Sequence, residues 1–178
     1  MKTSKVAKRY ARALMGLSAD HAQLEKWGAE LERLAKIVDA PETVGILDMP
    51  TVTLQARVEA VGKIAERLDL SYPVRAFAIV AARHSRIREI SAMAERYGRM
   101  LDDLLGRTRA TITFAREPGA NELQSVVAAL EAIAQKRVIA TTRIDGALVG
   151  GAVAELEGKI YDGSLATRLA EAEKLLGG

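Results

Sequence analysis

The chain is expected to be α plus small α/β: a six-helix N-terminal bundle over residues 1–105, then a domain of a few strands and two helices over residues 106–178. Three observations predict this. Apolar residues recur at steps of three and four as far as Leu105, the signature of helices with one buried face. The pattern breaks at LLGRTRATITFAR, where β-branched and aromatic residues cluster for the first time. A glycine-rich stretch, RIDGALVGGAVAELEGKIYDGSLATRL, then alternates short apolar runs with turn residues.

The first helix carries Val6, Tyr10, Leu14 and Leu17 on one stripe, with Ser4 as its N-cap. The second runs from about Asp20 to Val38 and lines up Leu24, Trp27, Leu31, Leu34 and Val38 at heptad-like spacing. Pro41 opens a short helical turn, and Met49-Pro50 ends it. Thr51 or Thr53 starts a fourth helix with Leu54, Val58, Val61, Ile64 and Leu68 inward. Ser71 and Pro73 begin a fifth. Its body, VRAFAIVAA, is apolar almost all round and is expected to be the buried centre of the bundle. The sixth runs from about Ile87 to Leu105 through Ile90, Met93, Tyr97, Met100 and Leu104; Asp102 and Asp103 at its end read as surface.

Thr111 to Phe114 form the first strand. PGAN leads into a helix from about Glu122 to Lys136, with Leu123, Val126, Val127, Leu130 and Ile133 on its face. VIATTRID is a second strand. ALVGGAVAEL and KIY, joined at Glu157-Gly158, read as a β-hairpin with Gly150 and Gly151 inside its first run. Asp162-Gly163 turn the chain, and Ser164 caps a last helix with Leu165, Leu169, Ala172 and Leu176 on its face.

Composition excludes several classes. There is no cysteine, hence no disulfide and no thiolate metal site. No apolar run is long enough to cross a bilayer, and no signal-peptide core follows the start. His21 and His84 are the only histidines, and neither stands in a metal-ligand pattern. No GxSxG elbow and no reactive thiol offers a nucleophile. The glycines do not match the GxxxxGK[ST] or GxGxxG spacing that cradles phosphates. Gly163 precedes a helix and could seat one anion, but turn and bulge geometry explains these glycines better. No catalytic residue, metal or cofactor is expected.

The net charge of +3 is local. Residues 1–105 hold 17 Lys and Arg against 14 Asp and Glu, whereas the remainder balances at 9 each. Lys2, Lys5, Lys8, Arg9 and Arg12 all precede the first acid, Asp20. Arg83, Arg86, Arg88, Arg96 and Arg99 gather on the fifth and sixth helices beside His84. Such a cluster could neutralise phosphates, so a basic helical nucleic-acid-binding module is the alternative reading. Few aromatics and no stacking motif support it.

The order of these elements resembles a known family. AKRYARAL is similar to the opening helix of the delta subunit of bacterial F-type ATP synthases, the family of the mitochondrial oligomycin-sensitivity-conferring protein. Gly150, Gly151, Gly158, Asp162, Gly163, Ser164, Arg168 and Leu169 match its closing signature position by position. Ala166 and Thr167 depart from the family's usual basic residue and glycine. The resemblance implies a non-catalytic stator subunit linking the catalytic head to the peripheral stalk, so that rotor torque is coupled to proton transport and ATP synthesis. It implies two partners. The N-terminal domain takes the N-terminal helix of the α subunit, and the C-terminal domain meets the C-terminal ends of the b subunits. It also implies a peripheral place on the cytoplasmic face of the bacterial inner membrane, reached only through the complex, with no nucleic acid. The first and fifth helices are the expected walls of the α-subunit site, with Tyr10, Leu14, Leu17, Ala76, Phe77 and Val80 as its candidates.

Overall fold

The computed structural model describes residues 5–47, 49, 51–148 and 150–163. Among them are seven α-helices and four strands, an α-plus-β fold. The chain divides into two compact units, Met1–Leu101 and Asp102–Gly178.

The first unit contains α1 (Lys5–Met15), α2 (His21–Val38), α3 (Pro41–Leu47), α4 (Leu54–Arg67) and α5 (Tyr72–Arg83). A 3-10 turn, Ile87–Glu89, leads into α6 (Ile90–Leu104). Local chemistry sets the starts. Asp20 caps α2 by accepting from the Ala22 N–H at 3.0 Å. Thr53 does the same for Ala56 on α4 at 3.2 Å. The α5 start has a different solution. The Ser71 side chain makes no cap bond within its own helix. Instead, the buried Glu30 of α2 accepts from both the Ser71 N–H, at 3.0 Å, and its hydroxyl, at 2.6 Å. A carboxylate at a helix N-terminus is favoured by the helix dipole, and this one also ties α2 to α5.

All five heptad-like residues of α2 are buried, joined in the core by Val61, Val74, Ile90 and Met93. Tyr97 is wholly buried and donates its hydroxyl to the Leu24 carbonyl at 2.9 Å. Its ring lies 3.3 Å from where a Cβ on Gly28 would stand, so glycine there lets α2 and α6 approach closely. Burial pushes the Tyr97 phenol up to about 12. The unfolded chain therefore releases this proton first. Stability is full below about pH 10 and falls as pH rises toward 12. Urea titrations across that range should show the decline, and Tyr97→Phe should flatten it.

Three sequence expectations for this region are corrected. Leu54 is exposed, because α4 presents only Val61 and Ala65 fully to the core. Leu104 is also exposed, since Leu101 takes the last inward position of the α6 stripe. And α5 is not buried all round. Val74, Phe77, Ala78, Ala81 and Ala82 face inward, while Tyr72 and Val80 face out.

The second unit holds β1 (Arg107–Phe114), α7 (Ala120–Ala134), β2 (Arg137–Ile144), β3 (Ala152–Leu156) and β4 (Lys159–Asp162). The sheet order is β2-β1-β3-β4. Strands β1 and β2 are parallel with α7 as the connection, whereas β3 runs antiparallel to β1 and pairs with β4. Thr108, Ala110, Ile112 and Phe114 are buried in strict alternation along β1. Ala110, Ile112 and Phe114 join Leu130, Val138, Ala154 and Leu156 in one core. Ile133, expected on the inner face of α7, is exposed because Leu130 and the partly buried Val126 and Val127 already cover the sheet. The hairpin turn has positive φ at both Glu157 (52°) and Gly158 (79°), as a type I′ turn requires.

Asp102 is buried rather than surface-exposed. Its two carboxylate oxygens accept from Arg107 Nε at 2.9 Å and Arg109 Nε at 2.6 Å. The start of β1 is thereby tied to the residue that opens this unit. The expected last helix lies outside the described residues.

Candidate functional site

Helices α1 and α5 leave an open groove of about 620 Å³ between them. Tyr10 and Leu14 line it from α1, one helical step of four apart; Leu17, expected on the same helix, lines it from the turn that follows, because α1 ends at Met15. On α5, Ala76, Phe77 and Val80 do the same. The structure thus brings all six sequence candidates to one surface. Arg9, Ala13, Tyr72 and Pro73 complete the lining, and none of them was among the sequence candidates for this site. Helical spacing carried the signal: Ala13 stands three residues after Tyr10, and Tyr72 four before Ala76.

The candidates divide by burial. Leu14 and Phe77 are core residues that form the floor. Leu17 (66 % exposed), Tyr72 (82 %) and Val80 (45 %) leave apolar surface in water. The Tyr10 and Phe77 rings meet edge to face, with centroids 5.9 Å apart and planes at 84°, which joins the walls at the base. Arg9 is the sole charged residue of the lining, with its guanidinium 5.9 Å from the Tyr10 ring centroid. A groove of this composition suits an apolar helix face better than a polar small molecule.

The arginine cluster is partly neutralised. Arg86 pairs with Glu89 at 2.6 Å, and Arg99 pairs with Glu95. His21 and His84 are exposed, and no group of three or more potential ligands could hold a metal among the described residues. No helix among the described residues is long and apolar enough to cross a membrane.

The glycine-rich stretch has backbone explanations. Gly150 and Gly151 precede β3 rather than lying inside it, and Gly151 has φ of 81°. Gly163 donates its N–H to the Ala152 carbonyl at 3.0 Å, so that donor already serves the β3–β4 pair instead of an anion. A Cβ there would approach the same oxygen to 3.4 Å. Asp162 ends β4. Ser164 and Arg168 lie outside the described residues.

Residues 6–176 match the family described as the ATP synthase delta (OSCP) subunit. The chain belongs to this family. ATP synthase subunit delta of Geotalea uraniireducens is 29% identical over 177 residues, covering 99% of this chain and 98% of that one. The corresponding subunit of Anaeromyxobacter sp. (strain K) is 30% identical over 172 residues, covering 96% of each chain. A chain of the Toxoplasma gondii mitochondrial ATP synthase hexamer shares the fold. Its TM-score is 0.65 at 18% identity, over 98% of this chain and 99% of that one. Within this delta/OSCP chain, the described part of the family-like closing signature, Gly150 to Gly163, coincides with the turns around β3 and β4. Gly151→Val should therefore destabilise the sheet by roughly 1–3 kcal/mol, the usual cost of forcing a β-branched residue to positive φ. Hydrogen exchange of the β3 amides should rise in the variant; unchanged protection would show that the position tolerates a side chain.

Proposed function

We propose that the chain is a non-catalytic stator subunit of an F-type ATP synthase, joining the catalytic head to the peripheral stalk. Family membership supports the setting. The apolar groove of α1 and α5 is the observation that carries the adaptor reading. In this reading the helices of residues 1–105 form a bundle whose groove receives the N-terminal helix of the α subunit. The unit built on the β-sheet meets the C-terminal ends of the b subunits. The joint resists rotor torque, so proton flow is coupled to ATP synthesis or its reverse. The chain sits on the cytoplasmic face of the bacterial inner membrane and reaches the bilayer only through its partners. The comparisons give the nucleic-acid reading no support.

The test is affinity purification of the tagged full-length chain from native membranes. Both the α and b subunits should co-purify at moderate salt, because apolar burial survives screening that disrupts phosphate contacts. Recovery of the chain with nucleic acid, or without either subunit, would overturn the assignment.

A further inference from the structure

The groove is apolar inside, and its α1 edge carries charge of one sign. Lys5, Arg9 and Arg12 stand at i, i+4 and i+7 on α1, a single stripe along one edge. All three are exposed, and none makes an ion pair among the described residues. Arg9 belongs both to this stripe and to the groove lining. On α5, Arg83 follows Ala76 by seven residues, continues the same face and is exposed. No acid lines the groove, and none occurs in α1. Some exposed cations of the same unit are paired, as Lys63 is with Glu59 and Arg75 with Glu66. The cations of this edge therefore stand where a docked partner would meet them.

Resting on the adaptor reading above, we infer that the groove recognises an amphipathic helix whose apolar face is flanked by carboxylates on the side facing α1. The lining on this side runs from Arg9 on α1 to Leu17 in the turn after it, so two to three turns of the partner engage, about 12 Å of helix. Apolar anchors hold the helix. The basic edge attracts it, fixes its direction and rejects helices with a basic flank. Charges at an interface rim act mainly on association rate and salt dependence, while buried apolar contacts act on dissociation. The two contributions can therefore be separated.

The experiment uses the full chain and a synthetic peptide of the α subunit's N-terminal helix, followed by stopped-flow fluorescence. A Lys5→Glu/Arg9→Glu/Arg12→Glu variant should associate at least about tenfold more slowly at low salt and lose the salt dependence seen in the wild type, with dissociation changed less than about threefold. A peptide with its Asp and Glu replaced by amides should reproduce this with the wild-type chain. The substituted positions are exposed, and circular dichroism verifies the fold. If association is indifferent to the reversal while Val80→Asp abolishes binding, the groove stands and the charge inference falls. If the folded wild type binds no peptide, both fall. If the basic edge instead binds anionic vesicles and the peptide does not compete, the edge serves a membrane surface and the inference is wrong.

Discussion

Val80→Asp should weaken binding of the α-subunit N-terminal helix by at least about a hundredfold without changing the melting temperature. Val80 lies in the groove and is 45 % exposed in the free chain, so a docked helix removes it from water. A carboxylate buried there against an apolar face costs several kcal/mol, and each 1.4 kcal/mol is tenfold in affinity. Arg83, one turn further on α5, offers partial compensation, which sets the expectation near a hundredfold rather than far beyond it. The free fold is spared because the side chain projects from the exposed side of α5. Leu17→Ala is a milder companion: Leu17 is more exposed still, and its loss should cost the complex up to about 1.5–3 kcal/mol. Leu14 serves poorly as a probe. It is buried in the free chain, and truncation would cost about 2–5 kcal/mol of folding stability before any partner arrives. Calorimetric titration beside thermal melts separates the effects. A folded Val80→Asp chain that binds like the wild type would remove α5 from the interface.

Asp102→Ala should destabilise the second unit by about 2–3 kcal/mol, below the full 3–5 kcal/mol of breaking a buried ion pair because Arg109 is half exposed. The carboxylate is buried and holds two guanidinium groups of β1, and Arg107 is itself largely covered. Removing the acid leaves that cation poorly solvated and frees the start of the strand that pairs on both sides. Amide exchange along β1 should accelerate, whereas Asp103→Ala, one residue on and exposed, should change little. Equal exchange in Asp102→Ala and the wild type would show that β1 is held by its ladder alone.

The sequence by itself determined the elements wherever the information was local. The apolar spacing of α2 has one solution, and all five of its stripe residues are buried. The alternation of β1 and the Glu157-Gly158 turn are equally local, because side-chain period and turn dihedrals depend on near neighbours. Which faces stay open was decided only by the tertiary structure. An α5 body that is apolar all round does not specify its own buried side; neighbouring helices cover one arc and leave Tyr72, Ala76 and Val80 to the groove. Polar partners distant in sequence were equally invisible. Nothing in the spacing of α2 singles out Glu30, whose partner Ser71 lies 41 residues away at the start of α5. Asp102 reads as a helix-end surface acid until β1 returns two arginines to it. Periodicity reports how a segment can divide apolar from polar. Only packing chooses the neighbour, and burial makes a polar group depend on that choice.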